Sequence, residues 1–369
     1  MSHTVDTSRI CFFAPNLEGG GAERIIAILA SHFSNEDFKV DLLLTQVSGP
    51  YLDDLSPKVN VINLQCGRAL TSLPKLIKYL KSQRPHILFT SHMHFSTVAI
   101  WAAKSARAST KVVIRQPTML NLSYEKTSLS SHLKQKVFIA SSYFADKIIV
   151  SSEAMLRDFK KVAKIPTNKL QIIHNPIPIQ VIIESSKEPL EHSWFQPGEP
   201  PVIIAVGRLV AVKDFTTLIK AFSIVEKSLP SHLLILGEGP LRPELTNLIN
   251  CLGLNNKVSM PGFVSNPYKY MKKSKVFVLS SLREGFPNSM VEAMACGIPI
   301  ISTQGDGGAK EILENGKWGQ LVPVGNENMM AEAILKAFEP SNDVNTLQRA
   351  KDFSIDIIIK KYRQSFDLE

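Results

Sequence analysis

The segment from Ser280 to Gly297, SSLREGFPNSMVEAMACG, concentrates more chemistry than any other part of this 369-residue chain. Glu284 follows an apolar, strand-like run, and Pro287 and Asn288 are residue types that open helices. Glu292 falls in the first turns of the helix so opened, eight positions after Glu284. Two carboxylates placed in this way can accept hydrogen bonds from several hydroxyls, as a sugar and a ribose both supply. The helix N-terminus between them can meet phosphate oxygens through its backbone N–H groups. Acidic residues near a helix start also complement its dipole without binding anything, so the whole segment, not Glu292 alone, carries the reading.

Two other loops share this logic. The run Val202–Val206 ends in Gly207-Arg208, with Lys213-Asp214 five residues on. An Arg and a Lys on one strand-exit loop can neutralise a diphosphate, the first by a forked contact and the second as a point charge; an isolated pair is more often two solvated cations. Near the N-terminus, NLEGGGAERI places Gly19, Gly20 and Gly21 between a strand-like run and a helix, where close backbone approach and unpaired N–H groups suit a diphosphate. The pattern is neither GxGxxG nor a Walker sequence, so dinucleotide and P-loop readings are unsupported. His92 and His94 follow the run Ile87–Thr90, and Arg115-Gln116-Pro117 follow the next; both pairs of positions are candidates for the acceptor or sugar side, although a lone His is more often a packing residue. No DxD occurs, and no His, Asp and Glu cluster has metal-ligand spacing. Neither a metal nor a cofactor is expected, and cations and helix ends are left to hold a diphosphate.

Such loops need a scaffold, and the hydrophobic pattern describes one. Short apolar runs at Ile10–Ala14, Val40–Leu44, Val59–Asn63, Ile87–Thr90, Val112–Ile114, Lys147–Val150 and Gln171–Ile173 alternate with helical patterns at Ala22–Ser34, Leu73–Ser82, Thr97–Arg107 and Ala154–Val162. Near-continuous apolar strands between helices predict a parallel sheet covered on both faces. Residues 176–200 are dense in Pro and Glu and read as a linker. The alternation then restarts: strands Val202–Val206, Leu233–Leu236, Lys257–Met260, Val276–Leu279 and Ile298–Ser302, with helices Phe215–Ser228 and Pro240–Cys251. The expected architecture is α/β, with two doubly wound domains at 1–175 and 201–350. Residues 351–369 form a C-terminal helix (Phe353–Phe366) that packs on the second domain or crosses back to the first.

Composition narrows the class. With 44% hydrophobic and 20% charged residues the chain is globular. No run approaches the roughly 18 apolar residues of a membrane-spanning helix. The sequence MSHTVDTSRICFFAP lacks the basic and apolar regions of a secretory signal. Cys11, Cys66, Cys251 and Cys296 show no CxxC spacing, which argues against zinc and disulfides and fits a reducing cytoplasm. The net charge of +9 is lopsided: residues 1–180 hold 22 Lys and Arg against 12 Asp and Glu, and the remainder 20 against 21. With no nucleic-acid motif present, a basic first half points to anionic lipid or a phosphorylated acceptor. Leu70–Arg84 fits either a basic amphipathic helix on an anionic membrane or an ordinary surface helix.

In this order, EGGGAER, VGRLVAVKDF, LLILGEGPLRPEL, VSMPGFV and REGFPNSMVEAMACGIPII resemble the retaining glycosyltransferases of family 4 over nearly the whole chain. The resemblance implies the GT-B fold, two Rossmann-like domains facing a central cleft, and transfer from a nucleoside-diphosphate sugar without metal. Glu284 and Glu292 match the family's E-x7-E segment, for donor-sugar hydroxyls and ribose. Arg208 and Lys213 match its diphosphate clamp, and Gly20 and Gly21 its N-domain turn. Phe286, Pro287, Asn288 and Ser289 are expected to contact sugar and phosphates, and Gly262, Phe263 and Val264 to lie near the base. Arg208, Lys213 and Glu284 are expected to be catalytic. Some members place a His where this chain has Arg115 and Gln116.

The function expected is retaining transfer of a hexosyl or N-acetylhexosaminyl group, from a UDP-sugar rather than a GDP-sugar. The acceptor expected is a glycan or lipid-linked molecule of surface polysaccharide, lipopolysaccharide or glycolipid assembly, met in the cytoplasm or peripherally at the inner membrane face. A nucleotide-sugar epimerase of the same fold class and a non-catalytic nucleotide-sugar-binding subunit are the alternatives.

Overall fold

The structure is a computed structural model that describes residues 8–36, 38–120, 129–339 and 344–368; the first seven residues of the N-terminal stretch read above lie outside it. The chain divides into two compact units, residues 1–176 with 358–369, and residues 177–357.

The first unit runs β1 (Arg9–Ala14), α1 (Gly21–Asn35), β2 (Lys39–Leu44), β3 (Asn60–Asn63), α2 (Leu73–Gln83), β4 (Ile87–Thr90), α3 (Met93–Ala106), β5 (Lys111–Arg115), α4 (Leu129–Ser142), β6 (Lys147–Val150), α5 (Glu153–Ala163) and β7 (Leu170–Ile172). Its seven strands form one parallel sheet in the order β3-β2-β1-β4-β5-β6-β7. The apolar runs become strands because both faces are covered: Ile10 to Ala14 are all fully buried. Helix α1 turns Ile25, Ile26, Leu29 and Phe33 inward. Residues 358–369, at the chain's end, belong to this unit. Their Phe366 ring stacks on Phe33 at 5.5 Å, and Tyr362 meets Phe89 edge-on at 5.9 Å. Each such buried ring contributes roughly 1.5–3 kcal/mol.

The second unit runs α6 (Ile179–Ser185), β8 (Val202–Val206), α7 (Phe215–Ser228), β9 (His232–Leu236), α8 (Arg242–Cys251), β10 (Val258–Gly262), α9 (Tyr268–Lys273), β11 (Val276–Leu279), β12 (Arg283–Glu284), α10 (Asn288–Ala295), β13 (Ile300–Thr303), β14 (Asp306–Gly307), α11 (Ala309–Ile312), β15 (Gln320–Val322), α12 (Glu327–Lys336), α13 (Thr346–Ala350) and α14 (Ile355–Ser365), the last continuing into the first unit's residues. Six of these strands form a parallel sheet, β10-β9-β8-β11-β13-β15, and β12 pairs with β14 in a separate ribbon. Both units are Rossmann-like. In each sheet the strand order reverses once, between β1 and β4 in the first and between β8 and β11 in the second. Ligands in doubly wound sheets sit outside the carboxyl ends of the strands at such a reversal.

Several elements depart from the sequence reading. The stretch read as a linker is folded into the second unit: Ile177, Ile179 and Ile182 are buried in its core, and the Ile177 N–H donates to the Phe353 carbonyl at 2.9 Å. The apolar side of α6 outweighs its Pro-rich surroundings. Pro178 occupies the N-cap of α6, ahead of the first turn. Helix α4 was not anticipated.

All four cysteines are free, and three are buried; Cys251 is exposed. Burial, and after it the charge of Glu292, pushes the Cys296 thiol up to about 12, and burial drives Cys11 upward too. Native protein treated with a maleimide at pH 7 is therefore expected to be modified at Cys251 alone, as mass spectrometry of the digest will show; labelling of Cys296 at a comparable rate would contradict this packing. Among the described residues no helix is long and apolar enough to cross a membrane.

Candidate active site

The reversal point of the second sheet brings together the residues singled out by spacing. Gly207 and Arg208 leave β8, and Ser280 and Ser281 leave β11, its neighbour in the sheet. The short helical turn Ala211–Lys213 is held against this second exit by two bonds: the Leu282 N–H donates to the Val212 carbonyl at 2.9 Å, and the Ser280 hydroxyl to the Lys213 carbonyl at 2.7 Å. Asp214 then turns through a left-handed conformation (φ 45°) and caps α7, accepting from the Thr217 N–H at 3.3 Å and from its hydroxyl at 2.7 Å. So fixed, Lys213 forms an ion pair with Glu284 across 71 residues of sequence, each side chain being 18% exposed. The Ser281 hydroxyl donates to the same Glu284 oxygen at 2.9 Å. Arg208, which leaves the end of β8, is exposed. With Glu284 neutralising Lys213, Arg208 is the exposed cation that the β8 exit offers to an anionic ligand.

Glu284 itself sits on β12, whose register with β14 sets Glu284 opposite Gly307, and the Gly308 N–H donates to the Glu284 carbonyl at 3.0 Å. The carboxylate is thereby positioned by a strand ribbon and not by a free loop. Pro287 is the N-cap of α10, which has no side-chain cap. Asn288 and Ser289 open the helix half-buried, whereas Glu292 is only 5% exposed. The two glutamates thus differ in access, Glu284 facing the loops and Glu292 lying deep in the helix packing. The Phe286 ring lies in the core, 5.4 Å edge-on from Phe353, which leaves its backbone as the part that can meet a ligand. At the end of β10, Gly262 has φ 98°, Val264 packs against the core, and Phe263 stands 80% exposed, an aromatic face available for stacking.

Sequence reasoning overlooked the neighbour of this loop. Arg242 is clamped by Glu238 (Nε to Oε2 2.9 Å, Nη2 to Oε1 2.5 Å) and donates to the Met260 carbonyl at 2.8 Å, which fixes the exits of β9 and β10 together. The GEGP turn was a visible signal for it.

In the first unit the reversal point lies between β1 and β4. Gly19 and Gly20 take φ values of 125° and 152°, which only glycine adopts readily, and α1 starts at Gly21. In the first turn of α1, the Glu23 carboxylate accepts from His92 Nε2 at 2.9 Å. Burial alone would raise the Glu23 carboxyl; the bond from His92 and a backbone N–H outweigh it and hold the group below the usual range. His92 Nδ1 is buried with no hydrogen-bond partner among the described residues. The Glu23–His92 pair was invisible in the sequence because its members are 69 residues apart.

The other candidates of this unit are dispersed. His94, two residues on, is exposed on α3 away from this pair, near Lys134, and burial followed by that charge lowers its pKa. Arg115 and Gln116 are 2% and 4% exposed. Arg115 donates to Ser91 Oγ at 3.0 Å and to Asn175 Oδ1 at 2.5 Å, and Gln116 to the Thr118 carbonyl at 2.8 Å. These bonds hold both side chains within the unit, Arg115 Nε is buried without a hydrogen-bond partner among the described residues, and burial lowers the Arg115 pKa. Among the described residues no cluster of three or more His, Cys, Asp or Glu side chains is placed to hold a metal ion.

Two Rossmann-like units with phosphate-suited loops at their strand reversals define a class, the nucleotide-sugar-dependent transferases of GT-B fold, and comparison with known proteins agrees. Residues 19–181 match Glycosyltransferase Family 4, and residues 186–352 match Glycosyl transferases group 1. The N-acetylgalactosamine-N,N'-diacetylbacillosaminyl-diphospho-undecaprenol 4-alpha-N-acetylgalactosaminyltransferase of Campylobacter jejuni is 32% identical over 346 residues, covering 90% of each chain. A second C. jejuni protein, a GalNAc-alpha-(1->4)-GalNAc-alpha-(1->3)-diNAcBac-PP-undecaprenol alpha-1,4-N-acetyl-D-galactosaminyltransferase, is 26% identical and covers 96% of this chain and 97% of its own. Among solved structures, Anabaena HepE in complex with UDP and glucose superposes with a TM-score of 0.80 at 21% identity, over 98% of this chain and 99% of that one. The chain belongs to glycosyltransferase family 4 and is a glycosyltransferase.

Proposed function

We propose that this glycosyltransferase moves an N-acetylhexosaminyl or hexosyl group from a UDP-sugar, with retention and without a metal ion, to a lipid-linked diphospho-glycan of surface polysaccharide assembly. The observation that carries the reading is the Lys213–Glu284 pair at the β8/β11 reversal, with Arg208 exposed at the exit of β8. Arg208 and Lys213 receive the donor diphosphate, Glu284 the hydroxyls of its sugar, Glu292 the ribose, and the Phe263 face stacks on the base.

As the bond from the anomeric carbon to the diphosphate oxygen breaks, its electron pair passes to the phosphate, where the two cations stabilise the growing charge. The acceptor hydroxyl attacks the same face and its proton goes to the departing phosphate, so no separate protein base is needed. Support for the uridine nucleotide comes from HepE, solved with UDP. Support for the hexosamine and the lipid-linked acceptor comes from the two C. jejuni relatives, whose names specify N-acetylgalactosaminyl transfer to undecaprenol-linked diphosphates. The basic first half suits peripheral contact with an anionic membrane.

Thermal-shift screening against UDP- and GDP-sugars, with and without EDTA, tests the donor. One UDP-N-acetylhexosamine is expected to raise the melting temperature with EDTA present, and Glu284→Ala to weaken that shift. A preference for a GDP-sugar, or a shift abolished by EDTA, would refute those parts of the assignment, and a product of inverted anomeric configuration by NMR would refute retention.

A further inference from the structure

A groove of about 630 Å³ opens on the first unit between the turn before α2, helix α3 and helix α4. Buried Phe95 and Val98 of α3 form its floor, and Leu70, Leu133 and Val137 line its rim. These three are 72%, 63% and 45% exposed, so the groove presents large apolar side chains to solvent that the core does not use. Two cations, Arg68 and Lys134, also line it, and among the described residues no acidic one does.

The scarcity of acid is built into the sequence. Residues 55–145 contain thirteen Lys and Arg and one acidic residue, Glu125, which lies outside the described residues. The basic surplus of the chain is therefore concentrated in the segment that builds this groove. An ordinary solvated helix face interleaves both signs, and an ordinary protein-docking patch is apolar with a mixed polar rim. A concave apolar trough with cations only at its edge is complementary to a molecule that joins a hydrocarbon chain to phosphate.

We propose that this groove holds the apolar chain of the lipid-diphosphate acceptor, with Arg68 and Lys134 meeting its phosphates; the proposal rests on the lipid-linked acceptor reading above. The site would fix the lipid end of the acceptor, leaving the sugar end to the transfer reaction. His94, also on the groove, is held toward its neutral form and so adds no permanent charge to an apolar wall.

The test is calorimetric binding of geranylgeranyl diphosphate and of inorganic diphosphate to the full-length protein saturated with UDP, which occupies the donor-diphosphate site, in wild type, Leu133→Glu, Val137→Glu and Lys134→Ala. Leu133 and Val137 are exposed, so these variants leave the core intact, and an unchanged thermal shift with the nucleotide sugar checks their folding. Wild type is expected to bind the prenyl diphosphate at least about tenfold more tightly than diphosphate alone. Leu133→Glu and Val137→Glu are expected to erase that difference, and Lys134→Ala to weaken both ligands. Prenyl-diphosphate affinity unchanged in the two Glu variants would overturn the groove assignment while leaving the lipid-acceptor reading in place. Equal affinity of wild type for the two ligands would overturn the groove and count against the lipid acceptor as well. Flotation with phosphatidylglycerol vesicles, lost in Leu133→Glu while prenyl-diphosphate binding persists, would replace the proposal with a general membrane contact.

Discussion

Replacing Lys213 by Ala is expected to lower kcat/KM for sugar transfer by on the order of 10²- to 10³-fold, the scale on which a preorganised charge at a leaving group contributes. The fold should survive, because the Ala211–Lys213 turn is held through the Val212 and Lys213 carbonyls and not through the ammonium. Glu284→Gln should cost a similar factor, since the amide keeps the shape but loses the charge that partners Lys213 and the strength with which sugar hydroxyls are held. The informative variant is the double. Lys213 and Glu284 are paired to each other before any ligand arrives, so each orients the other. Residues that act as a unit lose most of their effect with the first substitution. Lys213→Ala/Glu284→Gln is therefore expected to be little worse than the poorer single variant. Steady-state kinetics at saturating acceptor, with melting temperatures measured in parallel, check this. Multiplicative losses would mean that the two residues work independently on separate parts of the donor, and the ion pair would then be incidental to catalysis.

That pair also marks how far the sequence could be read. Lys213 and Glu284 were legible because each follows an apolar run ending in glycine or serine, and in a parallel sheet such runs must deliver their exits to one edge. The reversals at β1/β4 and β8/β11 turn that expectation into geometry. What escaped has physical reasons. Helix α4 carries serines and an apolar pattern too scattered to mark one face, and it forms where α3 supplies a partner. Helix α6 is short and set among prolines, and only the burial of Ile179 and Ile182 reveals it. Strand β15 spans three residues at the sheet edge, below the length at which alternation is readable. The Glu23–His92 bond and the burial of Arg115 depend on contacts between distant segments, which local pattern does not encode. At Phe286 the sequence did not show that the core takes the ring, which leaves the backbone for the contact its motif position implies.

The positioning of Glu284 yields the other large effect expected. Gly307 lies directly opposite Glu284 in the β12–β14 ribbon, with φ 154°, a conformation that residues with a Cβ rarely adopt. A Cβ at this position would lie 1.9 Å from the Glu284 carbonyl oxygen and 2.9 Å from its nitrogen, against main-chain atoms that cannot rotate away. Gly307→Ala must therefore push the two short strands apart, and with them the carboxylate and the Gly308 N–H bond that steadies it. A displacement of about 1 Å of a group at the reacting centre costs roughly 10²-fold in rate, so kcat is expected to fall by that order. Gly316→Ala supplies the control: φ is 104°, also unfavourable for alanine, but open space surrounds the position. It should lose about 1 kcal/mol of stability through backbone strain and leave kcat unchanged. If Gly307→Ala behaves as Gly316→Ala does, losing stability while keeping kcat within twofold, then the ribbon does not position Glu284 for the reaction. A large loss of kcat confined to Gly307→Ala would instead establish that the rigidity of a two-residue strand pair is part of the catalytic machinery.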